Sequence, residues 1–486
     1  MTQTMISSTP DSMHPCSSHP DEGFIHCEPQ IQAHPLGIRP SGNALTASSG
    51  HARDNIGTFA LLTDEVIMIV LEWLQDVDLL RLGSTCRAFF AFTSTDDLWK
   101  SLSLQAERQR SSWGGSWRAT YLRRQSPEMP SVDCRLYSDA LYRPFRCSQI
   151  DLWPFAFSIP TANRIPRLAD LSQSDFSTSW NDRPFILTQP VRKWPIFSKW
   201  CQEALLDRYG HVEFRAEAVD WPLRTYIEYM NDTNDESPLY LFDKDFVRKM
   251  NLCVVEKDGA YWPPECFGED LFALLGEQRP DNRWLIIGPE RSGSTFHKDP
   301  NATSAWNAVI RGSKYWIMFP GSTLPPGVFV SEDQSEVTSP LSIAEWLLTF
   351  HEEARRMNGC LEGICREGEV LHVPSGWWHL VVNLESAIAV TQNFIPQSHL
   401  GAALGFLEKK TEQISGFSND IKDPYQLFVD KLSLKRPEIM EQLHLMKGKK
   451  RKWEQLLEEN GGDHTEEKGG FGFGFGFAAD EAEEFP

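Results

Sequence analysis

His297 and Asp299 stand two residues apart, and His379 follows eighty-two residues after His297. The text around the first pair, Trp284 to Pro320, is strand-like. Residues i and i+2 of a strand point to the same face, so one imidazole and one carboxylate can reach one ion. His379 lies in a second strand-like stretch, Glu369 to Phe394. Its distance along the chain is no obstacle in a barrel, where facing strands converge on the interior. Two histidines and a carboxylate on one side of an ion form the facial triad of non-haem Fe(II) oxygenases. Three protein ligands leave three octahedral positions, two for a bidentate 2-oxo acid and one for O2. The same donors suit catalytic zinc and hydrolysis, but no separate general base accompanies them in the sequence.

A short His-x-Asp pair is weak alone, and its surroundings decide. Lys314 follows Asp299 by fifteen residues in the strand-like text RGSKYWIMF. A buried lysine needs an anionic partner or loses its charge. The distal carboxylate of 2-oxoglutarate supplies one, and a zinc hydrolase leaves Lys314 unexplained. Thr391, in AIAVTQNF, and Tyr240 can donate hydroxyl hydrogen bonds to the same group, and Asn307 can add an amide. Other histidines carry no such company. His372 precedes His379 by seven residues, an odd spacing that turns it to the other face of a straight strand, and it reads as structural. Pro374 and Gly376 are placed to break that strand. His211 and His351 have no ligand partners in the text and read as surface residues.

The elements that must position these residues run from about Arg183 to Pro396. RPFILTQPV and HVEFRAEAV read as strands, with the helical text FSKWCQEALLDRYG between them. Gly321 to Arg366 separates the two motif strands. It carries a helix at Ile343 to Met357 and an acidic loop at Glu332-Asp333, and it can shape substrate access.

GPERSGSTFHKDPNATSAWNAVIRGSKYWIMFP, VPSGWWHLVVNLESAIAVTQNF and SPLYLFD (Ser237 to Asp243) resemble the JmjC domain, in the branch of the bifunctional arginine demethylase and lysyl-hydroxylase. The resemblance covers roughly residues 180 to 400 and departs from the family text between Gly321 and Arg366. It implies a double-stranded β-helix, a jelly-roll or cupin-like barrel. It implies His297, Asp299 and His379 as iron ligands, and Lys314, Thr391, Tyr240 and Asn307 as 2-oxoglutarate contacts. Ser294 falls where the branch has a small hydroxyl residue near the cofactor. The implied activity is a dioxygenase that hydroxylates protein side chains or removes N-methyl groups from lysine or arginine, using Fe(2+), 2-oxoglutarate and O2. A histone or an RNA-binding protein is the implied substrate class; the nucleus is the expected compartment, with the cytoplasm as the alternative.

Further N-terminal, Leu61 to Leu102 carries Val66, Ile69, Val70, Trp73 and Leu74 at helical spacing. Thr63 is placed as N-cap before Asp64 and Glu65. A second helix starts near Asp78, with Leu79, Leu80 and Leu82 inward, and a third ends at Leu98-Trp99. The order Leu62, Asp64-Glu65, Ile69, Leu74, Asp78-Leu79-Leu80, Cys86-Arg87 and Leu98-Trp99-Lys100 resembles an F-box, with Thr63 where the family usually has Pro. The resemblance implies docking to a Skp-type adaptor of a cullin ubiquitin ligase. A pure adaptor with little or no catalytic activity is therefore the alternative function. An ordinary helical subdomain that steadies the catalytic unit is the plainer reading.

The chain thus divides into a disordered tail (1–57), an F-box-like helical domain (58–125), a connector (126–180), a JmjC domain (181–400), C-terminal helices (401–460) and a low-complexity Gly/Phe and acidic tail (461–486). Trp113, Trp117 and Tyr121 are expected to finish the helical domain. The fold class is mainly β with flanking helices plus a small all-α domain. The net charge of −20 argues against direct nucleic-acid binding, which needs a basic face. It suits a basic protein substrate, or serves solubility alone. KGKKRK, Lys447 to Lys452, is either a nuclear import signal or the solvated face of a helix. No run of apolar residues is long enough to span a membrane, and the N-terminus lacks the features of a secretory signal. The ten cysteines form no CxxC pair, which fits reduced thiols. Cys360 and Cys365 are a ligand pair or, the better reading, free thiols in a loop. His14, Cys16, His19, His26, Cys27 and His34 are too irregularly spaced for a metal site and read as solvated tail residues.

Overall fold

The computed structural model describes residues 32–47, 50–105, 112–130, 132–254, 259–332, 336–443 and 445. Its strands are β1 (Arg167–Leu168), β2 (Phe185–Leu187), β3 (Glu213–Ala216), β4 (Val219–Pro222) and β5 (Leu241–Asp243). They continue with β6 (Arg283–Gly288), β7 (Gly293–His297), β8 (Ser304–Arg311), β9 (Ser313–Phe319) and β10 (Phe329–Val330). The last are β11 (Val337–Thr338), β12 (Leu361–Arg366), β13 (Val370–Val373), β14 (Trp378–Asn383) and β15 (Ala387–Phe394). A nine-stranded sheet runs β1-β2-β13-β8-β15-β6-β5-β3-β4, and a four-stranded sheet runs β12-β9-β14-β7. The two sheets face each other around an interior cluster. Ile186, Ala305, Val309, Leu371 and Val373 enter it from the larger sheet, and Trp316, Met318, Cys365 and Val381 from the smaller. This is the expected cupin-like barrel.

Every residue of β9 is buried, and so is every residue of β14 and β15. Both faces of these strands are covered, so alternation sorts chemistry rather than exposure. On β9, Trp316 and Met318 face the interior, while Tyr315, Ile317 and Phe319 pack beneath the helix Ile343–Arg356. That helix ends within one residue of its expected span, and the Ser342 side chain caps it by accepting from Glu345 N.

The helical unit comprises α1 (Asp64–Glu72), α2 (Asp76–Gly83), α3 (Arg87–Thr93) and α4 (Asp96–Gln105), then α5 (Trp117–Tyr121). Thr63 caps α1 by accepting from Val66 N. Four helices form where three were expected, because Leu98-Trp99 lies in its own helix, α4. The inward face also differs. Ile67 and Leu71 are the buried residues of α1, whereas Ile69 is 55% and Trp73 84% exposed. Leu79 is buried as expected, but Leu80 is exposed. α1 has apolar residues on both faces, so spacing alone could not choose between them.

Residues 32–57 are not all tail: Ile38 and Ile56 are buried, Arg39 bridges Tyr137, and His34 is held against Phe145. His14, Cys16, His19, His26 and Cys27 lie outside the described residues, as do KGKKRK and the Gly/Phe tail. Trp113 and Trp117, expected to finish the helical domain, pack on each other and on Tyr229. One apolar cluster includes Ile67, Leu79, Trp99 and Trp117 from the helices together with Trp221, Leu285 and Trp306 from the nine-stranded sheet. Cys365 lies within β12 and Cys360 just before it; both are buried rather than in an open loop, and five residues of strand spacing send them into different clusters.

That shared core sets an expected outcome. Trp117 is fully buried, and truncating a core tryptophan costs about 3–5 kcal/mol. Trp117→Ala should lower the unfolding midpoint of helices and barrel together, followed by circular dichroism alongside Trp/Tyr fluorescence. Two separated transitions, with the barrel unmoved, would show that the helices fold as an independent domain.

Candidate metal and cofactor site

β7 ends on His297, β14 carries His379 near its start, and the two residues pair across the strands. Asp299 follows β7 at the same end of the barrel. One ligand atom from each of His297, Asp299 and His379 lies within 4.8 Å of the others, and the imidazole centroids are 4.1 Å apart. Each ring is oriented through its Nδ1, which donates to Thr295 O at 2.8 Å for His297 and to Trp377 O at 3.2 Å for His379. Those bonds leave Nε2 bare for an ion, the usual way backbone carbonyls fix a ligating tautomer. Burial, and then the neighbouring His297, hold the His379 pKa well below the ordinary value, so the ring is neutral. Burial pushes the Asp299 carboxyl pKa up, against the pull of His297 and the Asn393 side chain. Asp299 Oδ2 is buried without a hydrogen-bond partner. A sealed carboxylate oxygen beside two imidazoles whose Nε2 atoms are left bare fits a divalent cation.

The opposite end of the barrel holds Lys314. On β9, Met318 pairs with His379 and Lys314 pairs with Asn383. Four strand residues at ~3.3 Å each put the two levels about 13 Å apart along the backbone. Lys314 is fully buried; its Nζ donates to Asn383 Oδ1 at 2.8 Å and to the Tyr240 hydroxyl. Neither partner is an anion, and burial lowers the lysine pKa to about 7. Asn383 is anchored in turn, donating to Ser292 Oγ at 3.0 Å and to Gly288 O and Pro289 O at 3.3 Å. Asn383 was missed in the sequence, although its four-residue distance from His379 on one strand was a usable signal.

Asn307 and Thr391 pair on β8 and β15, facing the interior from the larger sheet. Asn307 Oδ1 and Trp316 Nε1 are buried without partners. The Thr391 hydroxyl donates to Trp306 O at 2.9 Å, so its proton is committed to the backbone and not to the lysine end. Ser294 is three residues from His297, which on a regular strand would put it on the outer face. A bulge between the His379 and Val381 pairings returns it to the inner face, opposite Val381. A cation without an anion, with orphaned polar atoms between it and the triad, fits a ligand that carries two carboxylates.

The other histidines divide. His372 is buried on β13, its Nδ1 at 3.1 Å from Arg183 O and its ring among Phe176, Phe185 and Phe267, a structural residue as expected. His211 is exposed. His351 is not on the surface: it is 2% exposed and lies 2.8 Å from Tyr315 Oη and 3.3 Å from Glu362 Oε2. Its partners come from β9 and β12, which no local text reveals.

The lysine makes a signed prediction. In the unfolded chain its pKa is near 10.4, and in the folded apo-protein it is about 7. Between those values the unfolded state binds more protons, so this residue makes stability rise with pH across about 7 to 10, with no slope below 7. Urea titrations of metal-free protein at pH 7 and pH 9.5 should show that rise in wild type and its loss in Lys314→Met. Equal slopes in the two proteins would mean that the ammonium is not desolvated.

Comparisons with known proteins give the family. Residues 177–399 match the cupin-like domain family, and residues 63–105 match the F-box-like family. Arginine-specific demethylase JMJ22 of Arabidopsis thaliana is 38% identical over 397 residues, covering 78% of this chain and 77% of that protein. The bifunctional arginine demethylase and lysyl-hydroxylase psr-1 of Caenorhabditis elegans is 31% identical over 270 residues, 53% of this chain and 64% of its own length. The 2-oxoglutarate and iron-dependent oxygenase JMJD4 of Danio rerio is 28% identical over 214 residues, 42% of this chain and 47% of its own. The chain belongs to the JmjC family of cupin-like domains and joins that domain to an F-box-like helical unit.

Proposed function

We propose that this protein is an Fe(II)- and 2-oxoglutarate-dependent dioxygenase that hydroxylates protein side chains or removes N-methyl groups from lysine or arginine. The observation that carries the reading is the pairing of a three-ligand cation site with a buried ammonium that lacks an anion in the same barrel. The names of similar proteins, arginine demethylase, lysyl-hydroxylase and 2-oxoglutarate and iron-dependent oxygenase, support it.

In this reading His297, Asp299 and His379 hold the iron. Lys314, Tyr240 and Asn383 receive the distal carboxylate, with Asn307, Thr391 and Ser294 along the wall. The bound iron, with 2-oxoglutarate and O2, supplies oxidation of a substrate C–H bond and releases succinate and CO2. The chain's own residues then have distinct tasks. Lys314 keeps its proton when a carboxylate arrives, because the ion pair offsets the desolvation that depresses its pKa. The backbone carbonyls of Thr295 and Trp377 hold the imidazoles aimed. The apolar interior around Met318 and Val381 excludes water from the space between.

The helical unit gives the reading a second part, docking of a Skp-type adaptor. Val66, Ile69 and Val70 on α1 and Trp73 just after it are exposed at helical spacing, and Val77 and Leu80 on α2 are exposed as well. An exposed apolar stripe of this kind suits a protein contact. An adaptor without chemistry would need neither the triad nor the buried lysine, so we place docking beside catalysis, not instead of it. A basic substrate, a histone or an RNA-binding protein, suits the net charge of −20. A nuclear location belongs to the same proposal and rests on Lys447 to Lys452, outside the described residues.

Loss of one ligand should leave an open iron site too weakly held to work. Asp299→Ala should fold, lose Mn(II) binding and form no succinate from 2-oxoglutarate in a mass-spectrometric assay. Substantial turnover in that variant would sink the assignment. In the active protein, substrate peptides should gain one oxygen or lose one methylene, which separates hydroxylation from demethylation.

The docking surface is tested apart from chemistry. Trp73→Arg places a charge on this apolar stripe and should abolish capture of a purified Skp-type adaptor while the far-ultraviolet spectrum is kept. Undiminished capture would place the contact elsewhere.

A further inference from the structure

Asp235 lies in the loop between the helix Leu223–Asn231 and β5, and its side chain is 9% exposed. Four contacts converge on its carboxylate. Trp117 Nε1 donates to both oxygens, at 3.0 and 2.8 Å. Lys100 Nζ lies at 3.2 Å, and the Tyr229 hydroxyl donates at 2.8 Å. Two of these donors come from the helical unit, Lys100 on α4 and Trp117 on α5. Lys100 also reaches Ser237 O at 3.3 Å, further along the same loop.

The Tyr229 hydroxyl links this carboxylate to the cofactor end of the barrel. It has one proton, which goes to Asp235, and its oxygen accepts from Leu239 N at 2.8 Å. The Tyr226 hydroxyl accepts from Leu241 N at 3.1 Å. The residue between, Tyr240, donates its own N–H to Glu217 at 3.0 Å. Three consecutive backbone N–H groups are therefore held by side chains, and the middle residue delivers its hydroxyl to Lys314. Removing the charge of Asp235 leaves the Tyr229 hydroxyl without its charge-assisted acceptor, and the clamp on Leu239 loses its fixed orientation.

We propose that Asp235 is a positioning residue for Tyr240, through which the helical unit sets the geometry of the 2-oxoglutarate end of the barrel. The inference rests on the reading above that Lys314 and Tyr240 receive the distal carboxylate. It assigns the helices a task in cofactor binding, whereas a detachable tether would have none.

The test uses full-length Asp235→Asn, which keeps the size and one acceptor oxygen but removes the charge and turns the other oxygen into an amide donor. 2-Oxoglutarate is titrated anaerobically into Mn(II)-loaded protein, and succinate formation gives KM and kcat. Asp235→Asn should weaken 2-oxoglutarate about three- to tenfold and raise its KM, with kcat and Mn(II) affinity kept. On a Tyr240→Phe background the same substitution should add little further loss, because both act through one hydroxyl. Amide exchange in the peptide spanning 237–243 should be faster in Asp235→Asn. A folded Asp235→Asn protein with wild-type affinity and unchanged exchange overturns the inference, as does a full additive loss on the Tyr240→Phe background. If Asp235→Asn does not fold, Lys100→Met carries the same expectations and the same refutations. Wild-type protein that binds no 2-oxoglutarate would refute the proposed function instead, and the exchange measurement would still decide whether Asp235 fixes this strand.

Discussion

An ammonium group withdrawn from water must meet negative charge or give up its proton. In this barrel Lys314 is that group, and the closed end is built around it. Asn383 and Tyr240 offer it neutral oxygens, which offset only part of the desolvation, so its pKa stays near 7. Tyr240 can reach it only because Gly288 has no side chain. A Cβ there would lie 2.6 Å from the Tyr240 ring and 2.2 Å from Ser292 Oγ. Asn383 is in turn fixed by the same turn, Gly288 to Ser292. The lysine end is thus preorganised by contacts within the chain, which moves the cost of organisation from binding to folding.

The metal end is subject to the same rule with the sign reversed. Asp299 keeps one oxygen sealed and unpartnered beside two imidazoles, and burial keeps that of His379 neutral. Because strands β9, β14 and β15 are covered on both faces, the polar groups that face inward have no solvent to turn to. Their even spacing is what puts them on the inner face of each sheet: His379 and Asn383 on β14 of the smaller sheet, Thr391 and Asn393 on β15 of the larger. The chemistry is therefore a property of the sheet's period as much as of the residues.

The sequence displays this part of the molecule well, and the reason is local. His-x-Asp, the strand text with Lys314, and the capped helix after Ser342 each depend on neighbours within a few residues. What failed depends on distant ones. His351 looks like an exposed helical histidine until Tyr315 and Glu362 arrive from two strands. The inward face of α1 is ambiguous because both faces are apolar. Ile38 and Ile56 read as tail because their partners, near Tyr137 and the helical core, are long-range. Ser294 would have been rejected by strand spacing alone and was kept only by resemblance; the bulge that rescues it has no local signature.

The outer faces carry a second consequence of the same alternation. One residue past Lys314, Tyr315 turns outward and donates to Glu362, which also accepts from Arg355 Nε at 2.9 Å. Burial alone would raise the Glu362 pKa, but bonds from His351, Arg355 and Tyr315 overcome it and hold the carboxyl ionised. Removing one partner of such a buried ion pair typically costs about 3–5 kcal/mol. Arg355 and His351 belong to the helix Ile343–Arg356, so this network fastens the segment between the motif strands directly to β9 and β12. The same helix places Trp346 5.0 Å from Phe296, the residue before His297. The segment between the motif strands is therefore fastened to the backs of the strands that carry Lys314 and His297. A segment held this way can differ in its exposed rim, at Leu324 and Phe329, without disturbing the interior, because its anchor and its exposed surface are separate residues.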